Sequence, residues 1–278
     1  MTDVRTEFGR LSAWRDTENL SETKAREQAA RLEHRARAED EVSSRNAYLD
    51  LLQIQAGERV LDIGCGSGVV ARDIARRVSP SGTVIGIDSS PELLKIARGY
   101  ADEAGLGSVM EFRQADCRKL PFANASFDVV IAATVLAHVP EAEKALPEMV
   151  RAARAGGRVA VFDFDGDGFL IPHPDRALTR RIVASQCDNG AVNGWLVRYL
   201  PSIFTELGLK DVRTRGFMSL ERGRGFYADL ARRAGENAAK AGAITTVELS
   251  RWLKELEEVV ATDRFIGGRL HIFVWGSK

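Results

Sequence analysis

Three carboxylates and a run of glycines set the chemistry this chain can do. Asp62-Ile63-Gly64-Cys65-Gly66-Ser67-Gly68 follows the apolar pair Val60-Leu61. That is the short continuous run of a strand covered on both faces, turning into a helix over 69–78. Gly64, Gly66 and Gly68 permit positive φ and keep side chains away from where a ligand's flat surface meets the backbone. The following helix aims its N-terminal N–H groups at the same place. Asp62, two residues before the first glycine, repels a pyrophosphate; it suits an ammonium group or ties down the loop amides. Asp88 ends a second strand, 83–88, where an acid can accept hydrogen bonds from both hydroxyls of a ribose. Asp116, followed by Cys117, ends a third strand, 110–115, where a carboxylate can take the exocyclic amine of an adenine. Together the three acids describe adenosine joined to an amino acid, with no phosphate. The glycine spacing agrees, because a dinucleotide fingerprint needs glycine at position 69, which is Val69.

Four segments in order carry a family resemblance: Asp62-Ile63-Gly64-Cys65-Gly66-Ser67-Gly68, Gly86-Ile87-Asp88, Gln114-Ala115-Asp116 and Phe127-Asp128-Val129-Val130. They resemble successive motifs of the class I S-adenosylmethionine-dependent methyltransferases, above all the small-molecule branch around the ubiquinone/menaquinone C-methyltransferases. The likeness covers residues 45–165; the flanks match in general layout. It implies S-adenosyl-L-methionine as cofactor and S-adenosyl-L-homocysteine as product. The cofactor-binding positions it implies are Asp62, Gly64, Cys65, Gly66, Gly68, Asp88, Ser89, Asp116, Cys117, Ala133 and Thr134. It also implies an α/β fold, a Rossmann-like doubly wound seven-stranded sheet whose last strand is antiparallel, inserted between the fifth and sixth.

The elements needed to position these residues are legible along the chain. Strands are expected at 59–63, 83–88, 110–115, 127–132 and 158–164, alternating with helices. Ligands of such sheets bind at the carboxyl ends of the strands, where the acids lie. Pro91 starts the helix after the second strand, with Ser89 or Ser90 as its cap. Pro140 starts a helix over 141–155, which Gly156-Gly157 ends. Asp163 to Pro174 reads as loop. Helices follow over 175–187 and 194–207, with Asn189-Gly190 as a turn between them. Strand six is 210–220, Thr245-Thr246-Val247-Glu248 is a capping box, and 269–276 is the last strand.

Residues 1–45 are polar, with thin apolar stripes. Phe8, Leu11 and Trp14 recur at helical spacing, and Leu20 to Ala38 is a second helix. This segment reads as an N-terminal helical cover or as a solvated extension or dimer contact. Residues 46–278 form the methyltransferase domain. Insertions at 166–200 and 222–266 cap the substrate, because the sheet is committed to the cofactor.

Composition bounds the partners. The 278 residues are 45% apolar and 28% charged, with a formal net charge of +0, so no global field draws in nucleic acid or an anionic membrane. The longest apolar run, near Val129 to Ala137, is too short to span a bilayer. No apolar signal region follows Met1. Cys65, Cys117 and Cys187 lack metal or disulfide spacing and read as reduced thiols in a cytoplasm, Cys65 and Cys117 as small apolar fillers. The oligomeric state stays open, a homodimer included.

Methyl transfer from a sulfonium is an in-line displacement, so alignment and water exclusion are the protein's main tasks. A base is needed only where the nucleophile carries a proton. His138, just after strand four, is the first candidate, as base or as packing against the cofactor. His173, in Pro172-His173-Pro174, is the second. His34 and His271 read as surface or strand residues. Asp163-Phe164-Asp165-Gly166-Asp167-Gly168 copies the start of an EF-hand loop, but its twelfth position is Pro174 and a strand precedes it. The EF-hand is rejected, and a polar hinge or a magnesium site remains. Arg198 and Tyr199 either reach a substrate oxygen or form the exposed edge of a helix. Phe169, Trp195, Phe217 and Phe226 line an apolar substrate cavity or serve as core.

The expected substrate is a small organic molecule, aromatic, polyketide or quinone-like, of the kind met in secondary metabolism. RNA or DNA would favour a basic groove, and Ala132-Ala133-Thr134-Val135 replaces the Asn-Pro-Pro-Tyr-type motif of amino-methyltransferases. The alternative is a fold member that binds S-adenosylmethionine yet catalyses a non-methylating reaction such as cyclisation.

Overall fold

The computed structural model describes residues 11, 12, 14 and 16–278. Its centre is a seven-stranded sheet of β1 (Arg59–Ile63), β2 (Thr83–Asp88), β3 (Met110–Gln114), β4 (Phe127–Ala133), β5 (Ala153–Leu170), β6 (Lys210–Arg222) and β7 (Ile266–Ser277). The strand order is β3-β2-β1-β4-β5-β7-β6. The first five strands are mutually parallel, and β7 lies antiparallel between β5 and β6, as the resemblance implied. The order reverses between β1 and β4, which opens a crevice at the strands' carboxyl ends.

Alternate residues of the strands feed two cores. Leu61, Ile85, Val130 and Val159 pack against α5 (Ala142–Ala152) and α7 (Leu196–Glu206). Val60, Val84, Val129 and Ala160 pack against α2 (Glu39–Leu51), α3 (Val69–Val78) and α4 (Pro91–Glu103). A third core joins α6 (Arg176–Gly190), α8 (Phe226–Lys240) and α9 (Thr246–Ala261) through Ile182, Ala234 and Trp252. These three helices come from the two expected insertions and pack on one another.

Local signals landed where the side chains demand them. Ser90 accepts from Leu93 N at the start of α4, with Pro91 at its first position. Thr245 and Glu248 form both bonds of a capping box on α9. Among the described residues, no helix is long and apolar enough to cross a membrane.

Several expectations need correction. The segment expected as loop from Asp163 is strand as far as Leu170, after a register shift between Phe164 and Phe169. Acids and glycines are poor strand formers, but Asp165 accepts from Asp167 N and Gly168 N and so closes a bulge. Phe169 and Leu170 then pair with Arg269 and Gly268 of β7. The helix expected over 141–155 ends at Ala152, because Ala153 already pairs with Phe127 of β4. The turn expected at Asn189-Gly190 is the last turn of α6, where Asn189 donates its amide to Ser185 O. α1 (Glu22–Ala36) is present. The expected helix on Phe8, Leu11 and Trp14 falls partly outside the described residues, Phe8 among them. α2 crosses the boundary placed after residue 45.

Candidate active site

β1 runs straight into the glycine loop, where Gly64, Gly66 and Gly68 have φ of 64°, 54° and 81°. A Cβ on Gly64 would stand 2.5 Å from Val135, and one on Gly66 2.9 Å from Leu32 of α1, so side chains are excluded twice over. Cys65 N donates to Ile87 O at 2.9 Å. Gly66 N donates to Asp88 Oδ2 at 3.0 Å, and Ser90 N to Asp88 Oδ1 at 2.9 Å. Asp88 therefore shapes the loop and keeps lone pairs for a ligand, since a carboxylate has about four acceptor sites. Burial pushes its pKa up.

The loop borders a cavity of about 630 Å³, within the usual range of small-molecule sites. Of the residues expected to bind cofactor, Asp62, Gly64, Cys65, Gly66, Asp88, Ser89, Asp116, Cys117, Ala133 and Thr134 line it. Gly68 does not; it is the left-handed cap of α3. Asp62 is 1% exposed, and its Oδ2 has no hydrogen-bond partner among the described residues. Burial, with Asp88 nearby, pushes its pKa up to about 8. The backbone N–H of Ala71, at the start of α3, works against that rise, while Oδ2 is left as an orphaned acceptor. Asp116 differs from expectation. Both its oxygens take Arg118 Nε, one also takes Arg118 N and the other Arg118 Nη2, at 2.8–3.1 Å. That pairing holds its pKa low.

The N-terminal segment closes over this half of the cavity. Glu33 of α1 accepts from Ser67 Oγ at 2.8 Å and from Arg72 Nη2 at 2.8 Å through both carboxylate oxygens. Thr17 Oγ1 lies 2.6 Å from Ser89 Oγ, and Ser12 Oγ lies 2.9 Å from His138 Nδ1. His138 sits on a one-turn 3₁₀ helix after β4, between the rings of Trp14 and Phe164. Burial, with Arg269 and Arg35 nearby, pulls its pKa down to about 3, so the ring is neutral and keeps a lone pair at ordinary pH.

The far half of the cavity holds residues that sequence reasoning missed. Arg35 of α1 and Glu41 of α2 pair at 3.3 Å, and Tyr227 of α8 donates to Glu41 Oε1 at 3.0 Å. Arg269 and His271, two apart on β7, share one face and line the same space. His271 is a strand residue, one of the two expected readings, but is 2% exposed, and burial takes its pKa down to about 3. The period-2 spacing of Arg269 and His271, and the one-turn spacing of Arg31 and Arg35, were the available signals.

Other candidates fall elsewhere. His173 does not line the cavity: Nε2 bonds Trp252 O at 3.0 Å, Nδ1 accepts from Asp175 N at 3.0 Å, and its ring stacks on Trp252. Its nitrogens are committed to structure. Arg198 takes both oxygens of Asp165 at 2.5 and 2.7 Å and reaches Asp167 at 3.1 Å. The acids thus anchor α7 to β5 and are not a free hinge. Of the four aromatics, Phe226 lines the cavity, while Phe217 lies in the core of the sheet and Phe169 in that of the cap. Trp195 and Tyr199 are exposed.

Comparison with known proteins adds to this geometry. A family model described as a methyltransferase domain matches residues 54–205. An uncharacterized 37.1 kDa protein in transposon TN4556 of Streptomyces fradiae is 32% identical over 77% of this chain and 62% of its own length. The ubiquinone/menaquinone biosynthesis C-methyltransferase UbiE of Ectopseudomonas mendocina is 38% identical over 43% of this chain and 47% of its own. The chain thus spans less than two thirds of the curated relatives it matches. The crystal structure of the YcgJ protein of Bacillus subtilis superposes with a TM-score of 0.61 at 21% identity, covering 85% of this chain and 98% of that one; it speaks for the fold.

Proposed function

Because the chain belongs to the class I S-adenosylmethionine-dependent methyltransferases, we propose that it methylates a small organic molecule held in the far half of the cavity. S-adenosylmethionine is the cofactor, and the near half fits it: the glycine cradle admits no Cβ, and Asp62 Oδ2 is an orphaned acceptor. When bound, the cofactor supplies a methyl group on a sulfonium whose charge is neutralised as the methyl leaves. Asp62 would take its ammonium, Asp88 its ribose hydroxyls, and Cys65, Ser89, Asp116 and Cys117 would surround the rest.

The observation that carries the reading is one cavity lined both by these residues and by His138, Phe164, Phe226 and Tyr227. In this reading residues 1–45 are the cover, since Leu32 and Arg35 border the cavity. The segments 166–200 and 222–266 supply the cap, through Gln186, Gly190 and Leu230. A cavity so walled suits an aromatic, polyketide or quinone-like acceptor. The three free cysteines are in keeping with a cytoplasmic protein. The test is incubation with S-adenosylmethionine and a panel of phenols and quinols. Release of S-adenosylhomocysteine in step with a product one methyl heavier is the expected result. Product formation without S-adenosylhomocysteine would assign a non-methylating reaction.

His138 is the residue this reading places at the nucleophile. In the tautomer whose Nδ1–H donates to Ser12 Oγ, Nε2 carries the lone pair and is the nitrogen left to take a proton. Its low basicity puts it at the weak end of general-base effects. His138→Ala should lower kcat by about 10²-fold with cofactor affinity kept; unchanged turnover would reduce it to packing.

Asp62 gives a pH-dependent expectation. In the free protein its carboxyl, with a pKa of about 8, is protonated at pH 7, while an ammonium partner needs the carboxylate. Cofactor binding at pH 7 should therefore release about one proton, and affinity should rise with pH up to 8. Calorimetry in buffers of different ionisation enthalpy measures this, and Asp62→Asn should abolish the release. Proton-neutral binding by the wild type would remove the ammonium from Asp62.

A further inference from the structure

The far half of the cavity carries more positive charge than its own carboxylates match. Arg31 and Arg35 of α1, Arg233 of α8 and Arg269 of β7 all line it. Arg35 is answered by Glu41. The other three have no ion pair among the described residues. Arg31 Nε, Arg233 Nη2 and Arg269 Nε are buried donors without a hydrogen-bond partner there. Arg269 is 9% exposed and rests its guanidinium 3.9 Å from the centre of the Phe164 ring. Asp229, the carboxylate felt by both Arg31 and Arg233, is bonded to Arg232 at 3.1 Å; Glu236 is felt by Arg233 without an ion pair among the described residues, and buried Asp163, felt by Arg269, accepts from Ala137 N and Phe164 N.

This arrangement is costly for the free protein. A buried unsatisfied donor costs about 1–3 kcal/mol, more when charged, and guanidiniums stay protonated in proteins. Arg31 also makes the charge on Arg233 less favourable, on top of burial, and burial pulls Arg269 down to about 10. A lysine-like snorkel to water is not what Arg269 does, set as it is in the middle of β7 against two phenylalanines. Buried polar groups of this kind are normally satisfied, so their partner is a ligand. Forked guanidinium donors match the paired oxygens of a carboxylate or phosphate. Phe164, Phe226 and Leu230 nearby offer a surface for an apolar body.

We propose that the molecule bound in the far half is an oxyanion, an apolar or aromatic acid whose carboxylate or phosphate is held by Arg31, Arg233 and Arg269. This deepens the proposed function and rests on reading the far half as the acceptor site. It narrows the acceptor from any small apolar molecule to an anionic one. Neutral quinones then become poor ligands. The same anion would mask the charge of Arg269 beside His138, and so make that ring a better proton acceptor only when the acceptor is in place.

Benzoate, phenyl phosphate and neutral benzamide, titrated by calorimetry and thermal shift into protein saturated with S-adenosylhomocysteine, test this. At least one of the two anions should stabilise the wild type saturably and bind at least about tenfold tighter than benzamide. Which anion binds better separates carboxylate from phosphate. Arg233→Gln should lose that preference and, without anion, melt above the wild type, because a repelled buried charge is gone. Arg269→Gln is the second variant and should lose the preference too. The proposal is overturned if neither anion binds the wild type saturably, if benzamide binds as well, or if both variants keep the preference. S-adenosylhomocysteine titrations run alongside. If it fails to bind the wild type, the methyltransferase reading fails by itself, and the anion titration without it still judges the arginines.

Discussion

Asp88→Ala is expected to weaken S-adenosylhomocysteine binding by about 10²- to 10⁴-fold while the protein stays folded. Two hydrogen bonds from ribose hydroxyls to a charged acceptor contribute about 1.5–3 kcal/mol each, and about 1.4 kcal/mol is tenfold in affinity. The substitution also frees Gly66 N and Ser90 N, which the carboxylate now holds. The loop that forms the cradle would then lose its brace to β2 on that side, keeping the bond from Cys65 N to Ile87 O. Folding itself should change little, because burial already pushes the Asp88 carboxyl toward its neutral form, and removing a poorly solvated acid offsets the two freed amides. Calorimetry with wild type, Asp88→Ala and Asp88→Asn separates the roles. If Asp88→Asn binds nearly as well as wild type, an uncharged acceptor suffices. If Asp88→Ala does, the ribose assignment is lost and Asp88 is a loop brace only.

The second large effect belongs to Glu41, which binds no cofactor in the proposed reading. Glu41→Ala should destabilise the fold by about 3–5 kcal/mol, the usual cost of removing one partner of a buried pair. Its carboxylate is 6% exposed, pairs with Arg35, and takes the hydroxyl of Tyr227. It is also the acid nearest in effect to His271. Without it, Arg35 joins the unmatched guanidiniums, and α2 loses its tie to α8. Burial raises the Glu41 pKa, but Arg35, His271 and the Tyr227 hydroxyl outweigh it, and the net shift is downward. The stabilisation is therefore present above the ordinary carboxyl value near 4.5 and lost as pH falls through the depressed value in the folded state. The gap between wild type and variant in urea unfolding should be full at pH 7 and shrink in acid. A gap below about 1 kcal/mol at pH 7 would class the pair with surface ion pairs.

The two substitutions probe parts of the cavity that differ in how they are written in the chain. Asp62, the glycines and Asp88 act within a few residues of a strand end, so strand, turn and helix alone carry them to the cavity wall. The residue types then name the ligand: no side chain on the loop, an acid before it, an acid at the next strand's tip. The parallel sheet followed from the same alternation of strand and helix, with the seven-stranded doubly wound layout and the antiparallel last strand supplied by resemblance. Where these local rules failed, a distant partner had overruled propensity. β7 drew Phe169 and Leu170 into strand, and Phe127 stopped α5 by pairing with Ala153.

Arg31, Arg35, Glu41, Arg233, Arg269 and His271 were not legible in this way. On a helix, an arginine in sequence reads as a solvated face, since charge is cheap in water and charged residues are seldom buried. Only the docking of α1 on α2, α3 and α4, and of α8 on β7, turns those faces inward, and burial then changes what each charge means. The same holds in reverse for His173 and the acids Asp165 and Asp167 of β5, which look like chemistry in sequence and are spent on Trp252 and Arg198. In the proposed reading, the sequence by itself determined the glycine loop and the acid at the tip of β2, because each is built from residues next to a strand end whose spacing is their geometry. The acceptor half was decided by tertiary structure alone, because its charges come from four elements far apart in the chain, and desolvation, which no local pattern encodes, selects which of them count.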